Sequence, residues 1–241
     1  MRERRSLKRN IILYVAAALL FQSLAACSPG PDSAPAQSEA QQTAGASTAG
    51  ATPAVDEKLV LAFGDSLYAG YQLGPKEGLA PQLEQALDAS GTPAQVVNAG
   101  VSGDTSAAAR QRLAFTLDGL PRKPDLVLVG LGGNDMLRGV DPVQTRANLT
   151  AILDELQRRE IPAMLTGMLA APNLGPDYRA AFESIYPDLA RRYDVPLYPF
   201  ILEGVLGQNA LMLPDRIHPN PQGVQVMVEG LTPAVKAALA G

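Results

Sequence analysis

From residue 59 onward, short apolar runs alternate with longer stretches in which apolar residues recur at every third or fourth position. A short apolar run is typical of a buried parallel strand, and the longer period is typical of a helix that covers a sheet. The alternation therefore predicts a parallel sheet covered by helices. We expect five strands, at residues 59–63, 95–98, 126–131 and 163–167 and near Leu197.

The stretches between the strands predict helices. In residues 143–159, for example, Leu149, Ile152, Leu153 and Leu156 lie on one stripe of a helix. Helices are expected at residues 81–89, 107–117, 143–159, 178–193 and 222–240. Five pairs of strand and helix in residues 58–241 predict one α/β domain of three α/β/α layers, flavodoxin-like, around a five-stranded parallel sheet.

The first 26 residues have the composition of an export signal. Basic residues precede an apolar run at residues 11–21, which is too short to span a bilayer comfortably. The Leu-Ala-Ala-Cys sequence at residues 24–27 resembles the processing box of bacterial lipoproteins, in which the cysteine is acylated and becomes the new N-terminus. Cys27 is the only cysteine, so it cannot form an internal disulfide. We expect residues 1–26 to be a lipoprotein signal peptide and Cys27 to carry lipid; an ordinary cleaved signal is the alternative.

Residues 27–57 are rich in Ala, Ser, Gly, Pro, Thr and Gln and contain hardly any large apolar side chain. Such a segment cannot bury enough apolar surface to offset the entropy lost on ordering, which predicts a disordered linker. An aspartate directly after the lipidated cysteine would resemble an inner-membrane retention signal, but residue 28 of this chain is Ser28. We therefore expect an exported lipoprotein of the cell envelope, on the periplasmic side of the outer membrane and held to the membrane by its N-terminal lipid anchor.

The charge distribution bears on partners. The net charge is -4, and no basic patch interleaved with aromatic residues follows the first ten residues. A nucleic acid is therefore not expected as a partner. No obligate protein partner is evident from the sequence.

Polar or glycine-rich turns follow each of the first three predicted strands. They are Gly-Asp-Ser-Leu at residues 64–67, a turn from Asn98 through residues 100–104, and Gly-Gly-Asn-Asp at residues 132–135. The carboxyl ends of parallel strands meet at one edge of the sheet, and ligands bind at that edge. We expect these turns to form a single site.

A serine hydroxyl is a poor nucleophile unless a neighbouring base takes its proton. The chain has one histidine, His218, which follows Asp215 by three residues, and an aspartate can orient an imidazole and stabilise its cation. If imidazole acts as a base here, His218 must supply it. A single histidine also excludes a zinc site with several histidine ligands, so we expect neither metal nor cofactor.

Four motifs together resemble the GDSL, or SGNH, hydrolase family. They are Gly-Asp-Ser-Leu, Ser-Gly-Asp-Thr at residues 102–105, Gly-Gly-Asn-Asp and the Asp-x-x-His-Pro that begins at Asp215. Tyr68 occupies the place of the second glycine of Gly-x-Ser-x-Gly, so the usual α/β-hydrolase signature is absent. The resemblance implies an SGNH hydrolase fold, a catalytic triad and an oxyanion hole. The triad is Ser66, Asp215 and His218, and the oxyanion donors are the backbone N–H groups of Ser66 and Gly103 and the side-chain amide of Asn134.

Within this family the chain is similar to the bacterial multifunctional thioesterase, arylesterase and lysophospholipase type, notably at residues 132–139, 181–187 and 194–200. The resemblance implies a serine esterase that acts on acyl or aryl esters, lysophospholipids or thioesters through an acyl-enzyme. Acyl-CoA is cytosolic, so export favours small acyl esters or lipids as substrates. We also expect residues 169–178 to border the acyl pocket.

Other interpretations of the same residues remain open at this point. Ser66 and Asp215 are also common helix caps, Asn134 and Gly103 are common turn residues, and His218 could lie on the surface. Three further aspartates are interpreted as structural, with carboxylates that accept backbone N–H bonds: Asp65, Asp104 and Asp135.

Two other functions also remain. One is an acetylesterase that acts on surface glycan. The other is a flavodoxin-like binding module without catalytic activity. Residues 64–74 contain neither a Gly-x-Gly-x-x-Gly motif nor a P-loop, which disfavours the binding module.

Overall fold

The computed structural model describes residues 57–241. The expected signal peptide, Cys27 and nearly all of the expected linker lie outside the described residues. Within them, five parallel strands form one sheet in the order β2-β1-β3-β4-β5. The strands are β1 (Lys58–Gly64), β2 (Ala94–Gly100), β3 (Leu126–Gly130), β4 (Ala163–Thr166) and β5 (Leu197–Tyr198).

Eight α-helices accompany the strands in residues 57–241. They are α1 (Ser66–Ala69), α2 (Leu79–Ala89), α3 (Ser106–Asp118), α4 (Gly133–Leu137), α5 (Pro142–Arg158), α6 (Pro176–Glu183), α7 (Ile185–Tyr193) and α8 (Pro221–Ala240). Two 3₁₀ turns, Pro172–Leu174 and Asn209–Leu211, lie in the loops. The strand order is that of the flavodoxin-like class, which confirms the predicted fold.

Two apolar cores lie against the sheet. One contains Val60, Ala62 and Leu128 of the strands together with apolar side chains of α2 and α8. The other contains Leu61 and Phe63 together with side chains of α3, α5, α6 and α7. Neighbouring residues of β1 therefore enter different cores, as the alternation of side chains along a strand requires. This is the three-layer arrangement that the sequence predicts.

The single helix expected over residues 178–193 is wrong in one respect: the structure has two helices there, α6 and α7, which meet at Ser184. The cause is Pro187. A proline has no N–H, so it cannot donate to the carbonyl of Glu183 four residues earlier, and its ring crowds that carbonyl. The Ser184 hydroxyl donates to the Ala181 carbonyl at the same place.

In residues 57–241, no helix is long and apolar enough to cross a membrane.

Candidate active site

Ser66 lies where β1 ends, as the first residue of α1. The carboxylate of Asp65 caps this short helix by accepting a hydrogen bond from the Leu67 N–H at 3.1 Å. At the other end of α1, Gly70 has φ of +74°, the left-handed conformation that ends a helix and that glycine adopts without strain. The hydroxyl of Ser66 is thus fixed at the carboxyl edge of the central strand.

Tyr68 explains how so short a helix is held on the sheet. Its ring is buried over the ends of β1 and β3, where a Cβ at Gly64 would lie 2.4 Å from Tyr68 Cγ and a Cβ at Gly130 would lie 2.0 Å from Tyr68 Cε2. Its hydroxyl shares a hydrogen bond of 2.8 Å with Thr166 Oγ1 at the end of β4. Tyr68 can therefore occupy the place of the second glycine of Gly-x-Ser-x-Gly, because Gly64 and Gly130 at the strand ends leave room for its ring.

The structure brings Ser66, His218 and Asp215 together. His218 Nε2 lies 2.8 Å from Ser66 Oγ, and His218 Nδ1 lies 2.6 Å from Asp215 Oδ2. The ring of Tyr71 packs against the imidazole with 4.4 Å between centroids. Only 15% of the His218 side chain is exposed. The imidazole is thus held between a hydroxyl and a carboxylate, which is the arrangement that activates a serine.

Asp215 is fixed by the backbone as well as by His218. Its Oδ1 accepts hydrogen bonds from the N–H groups of Ile217 at 2.9 Å and His218 at 3.0 Å. Partial desolvation raises the pKa of the Asp215 carboxyl, but the hydrogen bonds from the His218 side chain and from these two N–H groups outweigh it and lower the pKa to about 2. Asp215 is therefore ionised across the neutral range, as a partner of an imidazolium must be.

Gly103 and Asn134 lie in the turns after β2 and β3. Gly103 has φ of +86°, a conformation in which other residues are strained. The Asn134 side-chain amide donates one hydrogen bond, to the Asp104 carbonyl at 3.0 Å, which fixes its direction and leaves its second N–H for another acceptor. Within residues 57–241, no hydrogen-bond partner is found for the backbone N–H of Ser66 or Gly103.

The prediction that three nearby aspartates hold the turns through backbone N–H groups is correct for Asp65 and Asp135. Asp135 is buried and accepts from the backbone N–H of Ser106 at 2.7 Å and from the hydroxyls of Ser106 and Thr145. The prediction is wrong for Asp104, which instead pairs with Arg112 Nε at 2.6 Å.

Arg112 was not singled out from the sequence. It also donates from Nη2 to the Gly64 carbonyl at 3.0 Å and packs over the Phe63 ring. Arg112 thereby joins the turn that contains Asp104 to the end of β1. An arginine within a predicted helix gives no local signal of such a role. Tyr71, which packs against the His218 ring, lies in a loop and gives no local signal either.

A largely apolar cleft of about 390 Å³ opens beside Ser66 and His218. Of residues 169–178, which were expected to border it, Leu169, Ala170, Ala171 and Pro172 do so. Tyr178 instead donates a hydrogen bond to the Val140 carbonyl at 2.9 Å. The other walls come from α4, from Met168 just after β4 and from the loops before α8; they include Met136, Leu137, Leu202, Leu206, Arg216 and Ile217. In the described part of the chain, no group of three or more His, Cys, Asp or Glu side chains could hold a metal ion.

Asp65 is a buried titratable residue that directly precedes Ser66. Its side chain is almost completely buried, and desolvation raises the pKa of its carboxyl to about 6 against the opposing effects of the Leu67 N–H and His218. Between about pH 4 and pH 6 the native protein binds a proton here that the unfolded chain has released. Stability therefore falls as the pH rises through this window.

We expect Asp65→Asn to raise the free energy of unfolding at pH 8 by about 1 to 3 kcal/mol. Asparagine carries no charge, and the rise of the Asp65 pKa from 3.8 to about 6 means that burial of the ionised carboxylate costs about 3 kcal/mol. The asparagine oxygen keeps the acceptor for Leu67. Denaturant unfolding at pH 4.5 and pH 8 measures the effect, and Asp177→Asn on the surface of α6 serves as the control. A variant less stable than wild type at pH 8 would contradict this account of Asp65.

A parallel α/β/α sheet with a serine, a histidine and an aspartate joined by hydrogen bonds at its carboxyl edge defines the class of the serine hydrolases. Comparison with known proteins makes the class specific. The GDSL-like lipase/acylhydrolase family matches residues 62–226. The chain belongs to this family.

Individual relatives agree with the assignment. Esterase TesA of Pseudomonas aeruginosa is 37% identical over 180 residues, which cover 75% of this chain and 89% of that protein. Thioesterase 1/protease 1/lysophospholipase L1 of Escherichia coli is 41% identical over 167 residues, which cover 69% and 77% of the two chains. Among solved structures, the SGNH-hydrolase family esterase AlinE4 is 50% identical, with a TM-score of 0.65 over 76% of this chain and 96% of that one.

Proposed function

We propose that this chain, a carboxylic ester hydrolase by its family and fold, cleaves acyl and aryl esters with Ser66 as nucleophile, His218 as general base and Asp215 as the group that orients the imidazole. One observation carries the proposal. The Ser66 hydroxyl, the His218 ring and the Asp215 carboxylate form an unbroken chain of hydrogen bonds at 2.8 and 2.6 Å beside an apolar cleft.

The reaction has two halves. In the first, His218 Nε2 takes the proton of Ser66 Oγ as the oxygen attacks the ester carbonyl, and the imidazolium then gives this proton to the departing alcohol or phenol. An acyl group remains on Ser66. In the second half, His218 takes a proton from water, the hydroxide attacks the acyl carbonyl, and the proton returns to Ser66 as the carboxylic acid leaves. Asp215 stays ionised throughout and stabilises the imidazolium.

The tetrahedral intermediate carries a negative oxygen that needs fixed donors. We assign this role to the backbone N–H groups of Ser66 and Gly103 and to the free N–H of the Asn134 amide. An amide donor suits the role because it does not compete for the proton that His218 carries. The bond from Asn134 to the Asp104 carbonyl fixes the amide before substrate arrives.

We expect Asn134→Ala to lower kcat by about 10²-fold to 10³-fold, the usual cost of removing one oxyanion donor. KM should change little, because the donor acts mainly on the charge of the transition state. Steady-state kinetics with a p-nitrophenyl ester provide the measurement. Asn148→Ala, which removes an amide that contacts Ser106 outside the cleft, is the matched control. If kcat of the Asn134 variant equals that of wild type, the third donor must be sought elsewhere.

The cleft favours an apolar acyl chain. Its walls are mostly Leu, Met, Ile and Ala side chains, whereas a site for a glycan-linked acetyl group needs polar side chains for the sugar hydroxyls. A panel of p-nitrophenyl esters from acetate to palmitate tests this assignment. We expect kcat/KM to rise from acetate to the medium-chain esters, because each buried methylene contributes about 0.8 kcal/mol. A panel in which acetate is the best substrate would contradict the assignment.

The location of the enzyme is a separate part of the proposal. Residues 1–26 are a lipoprotein signal peptide, Cys27 carries the lipid, residues 27–57 are a linker and residues 58–241 are the hydrolase domain. The basic N-terminus, the apolar run and the Leu-Ala-Ala-Cys sequence support this division. The enzyme then acts on the periplasmic side of the outer membrane, where lysophospholipids and other acyl esters are accessible and acyl-CoA is not.

Cys27→Ser should give protein that is either unprocessed or released from the membrane, because serine offers no thiol for the lipid. Detergent phase partitioning and the mass of the N-terminal peptide measure this result. Ser28→Ala is the matched control, since it changes the neighbouring side chain and keeps the thiol. A Cys27 variant that is cleaved and still partitions with detergent would show that the anchor is not at this residue.

A further inference from the structure

Arg216 has an unusual backbone conformation for its residue type. Its φ is +58°, in the left-handed region that glycine occupies without strain. The conformation is imposed by the turn that presents the catalytic pair: the Arg216 N–H donates to the Leu213 carbonyl at 2.9 Å, and the Asp215 carboxylate accepts from the next two N–H groups. A large cationic side chain at a position suited to glycine, within a catalytic turn, indicates a function for that side chain.

The surroundings of Arg216 indicate what that function is. The side chain is exposed and lines the cleft together with Ile217 and His218. Among residues 57–241 it forms no ion pair within 4.0 Å, and it is the only Lys or Arg side chain among the residues that line the cleft. Several of the apolar side chains that line the cleft are also exposed, including Leu137, Leu206 and Ile217. The cleft thus combines apolar walls with one cationic side chain that has no ion-pair partner among the described residues.

The proton transfer from His218 indicates that the alcohol part of the substrate lies near Arg216. His218 Nε2 gives its proton to the leaving alcohol, so the alcohol lies against the turn that contains His218. Arg216 precedes His218 by two residues in this turn. A guanidinium binds a phosphate through two parallel N–H donors, which makes arginine suited to recognise a phosphate-bearing alcohol.

We propose that Arg216 is a specificity determinant that binds an anionic phosphate on the alcohol side of the ester. This inference rests on the proposed function and narrows its substrate class. The preferred substrates are amphiphiles in which an apolar acyl chain packs on the apolar walls of the cleft and the alcohol, which lies on the His218 side of the same cleft, carries a phosphate, as in a lysophospholipid.

Two soluble substrates that differ in a single group test the proposal: 1-octanoylglycerol and 1-octanoylglycerol 3-phosphate, each below the concentration at which it aggregates. The quantity measured is the ratio of kcat/KM for the phosphate ester to that for the neutral ester. We expect Arg216→Gln to lower this ratio by about 10-fold to 100-fold, the usual effect of losing one charge-assisted hydrogen-bonded contact. The change should lie in KM for the phosphate ester, because the phosphate is remote from the reacting carbonyl.

Further variants separate charge from backbone conformation. Arg216→Lys keeps the charge but loses the paired donors, so it should lower the ratio less than Arg216→Gln does, whereas Arg216→Gly relieves the backbone and should lower the ratio as Arg216→Gln does. Arg192→Gln, in the last turn of α7, is the matched control and should leave the ratio at the wild-type value. Equal losses on both esters, or an unchanged ratio in Arg216→Gln, would overturn the proposal. If the wild type cleaves neither ester, the proposed function fails instead.

Discussion

Ser66→Ala is expected to lower kcat for ester hydrolysis by about 10⁴-fold to 10⁶-fold, the range found when a serine nucleophile is removed and only the oxyanion donors and substrate binding remain. The fold should persist. Alanine is a good helix residue, and α1 is held by Tyr68 and the Asp65 cap rather than by the serine hydroxyl. Kinetics with p-nitrophenyl butyrate and the thermal midpoint of the same sample measure both effects.

Ser90→Ala is the matched control, since it removes a serine hydroxyl at the end of α2, away from the cleft. It should retain wild-type turnover. A Ser66 variant that keeps more than one tenth of wild-type kcat would show that another residue is the nucleophile.

The second large effect is expected at His218. Because this is the only histidine, a histidine-selective acylating reagent reports on one position without any mutation. Modification should abolish activity with a stoichiometry of one, since the acylated ring can no longer take the Ser66 proton. A boronate that occupies the cleft should protect against the reagent, because His218 lines this cleft and only 15% of its side chain is exposed.

His218→Ala should show a loss of about 10⁴-fold to 10⁶-fold in kcat and no further response to the reagent. Asp215→Asn provides a useful comparison. It keeps the size of the side chain but cannot stabilise the imidazolium, so it should lose less activity than His218→Ala. Full activity after complete modification of His218 would mean that no imidazole takes part in the reaction.

Much of the fold follows from local patterns. The apolar runs predict four strands to within two residues of their observed ends and the position of the fifth, near Leu197. These patterns suffice because burial on both faces of a parallel strand requires a continuous apolar run. The split of α6 from α7 could also have been predicted, since Pro187 is visible in the sequence. The apolar stripe continues across Ser184, however, and periodicity alone does not register a missing N–H.

The candidate catalytic residues could be named from the sequence because their residue types are scarce and their motifs occur in the family order. His218 is unique, and Asp215 precedes it at a short distance. The distances between these side chains come only from the fold, since 152 residues separate Ser66 from His218.

The supporting residues could not be predicted because their roles depend on contacts between distant elements. Tyr68 is fixed by glycines at the ends of β1 and β3 and by Thr166 of β4. The role of Arg112 depends on the distance between its helix and the turn at Asp104. The conformation of Arg216 depends on the hydrogen bonds of its turn. None of these relations leaves a periodic signal in the sequence.

The central claim is that Ser66 forms the covalent intermediate. An alkyl p-nitrophenyl phosphonate tests it most directly, because the serine oxygen displaces p-nitrophenolate and remains bonded to phosphorus. We predict the release of one p-nitrophenolate per chain, and mass spectrometry should find the adduct on the peptide that contains Ser66, with no adduct in Ser66→Ala. A stoichiometric adduct on any other residue, or labelling of Ser66→Ala at the wild-type rate, would contradict the account.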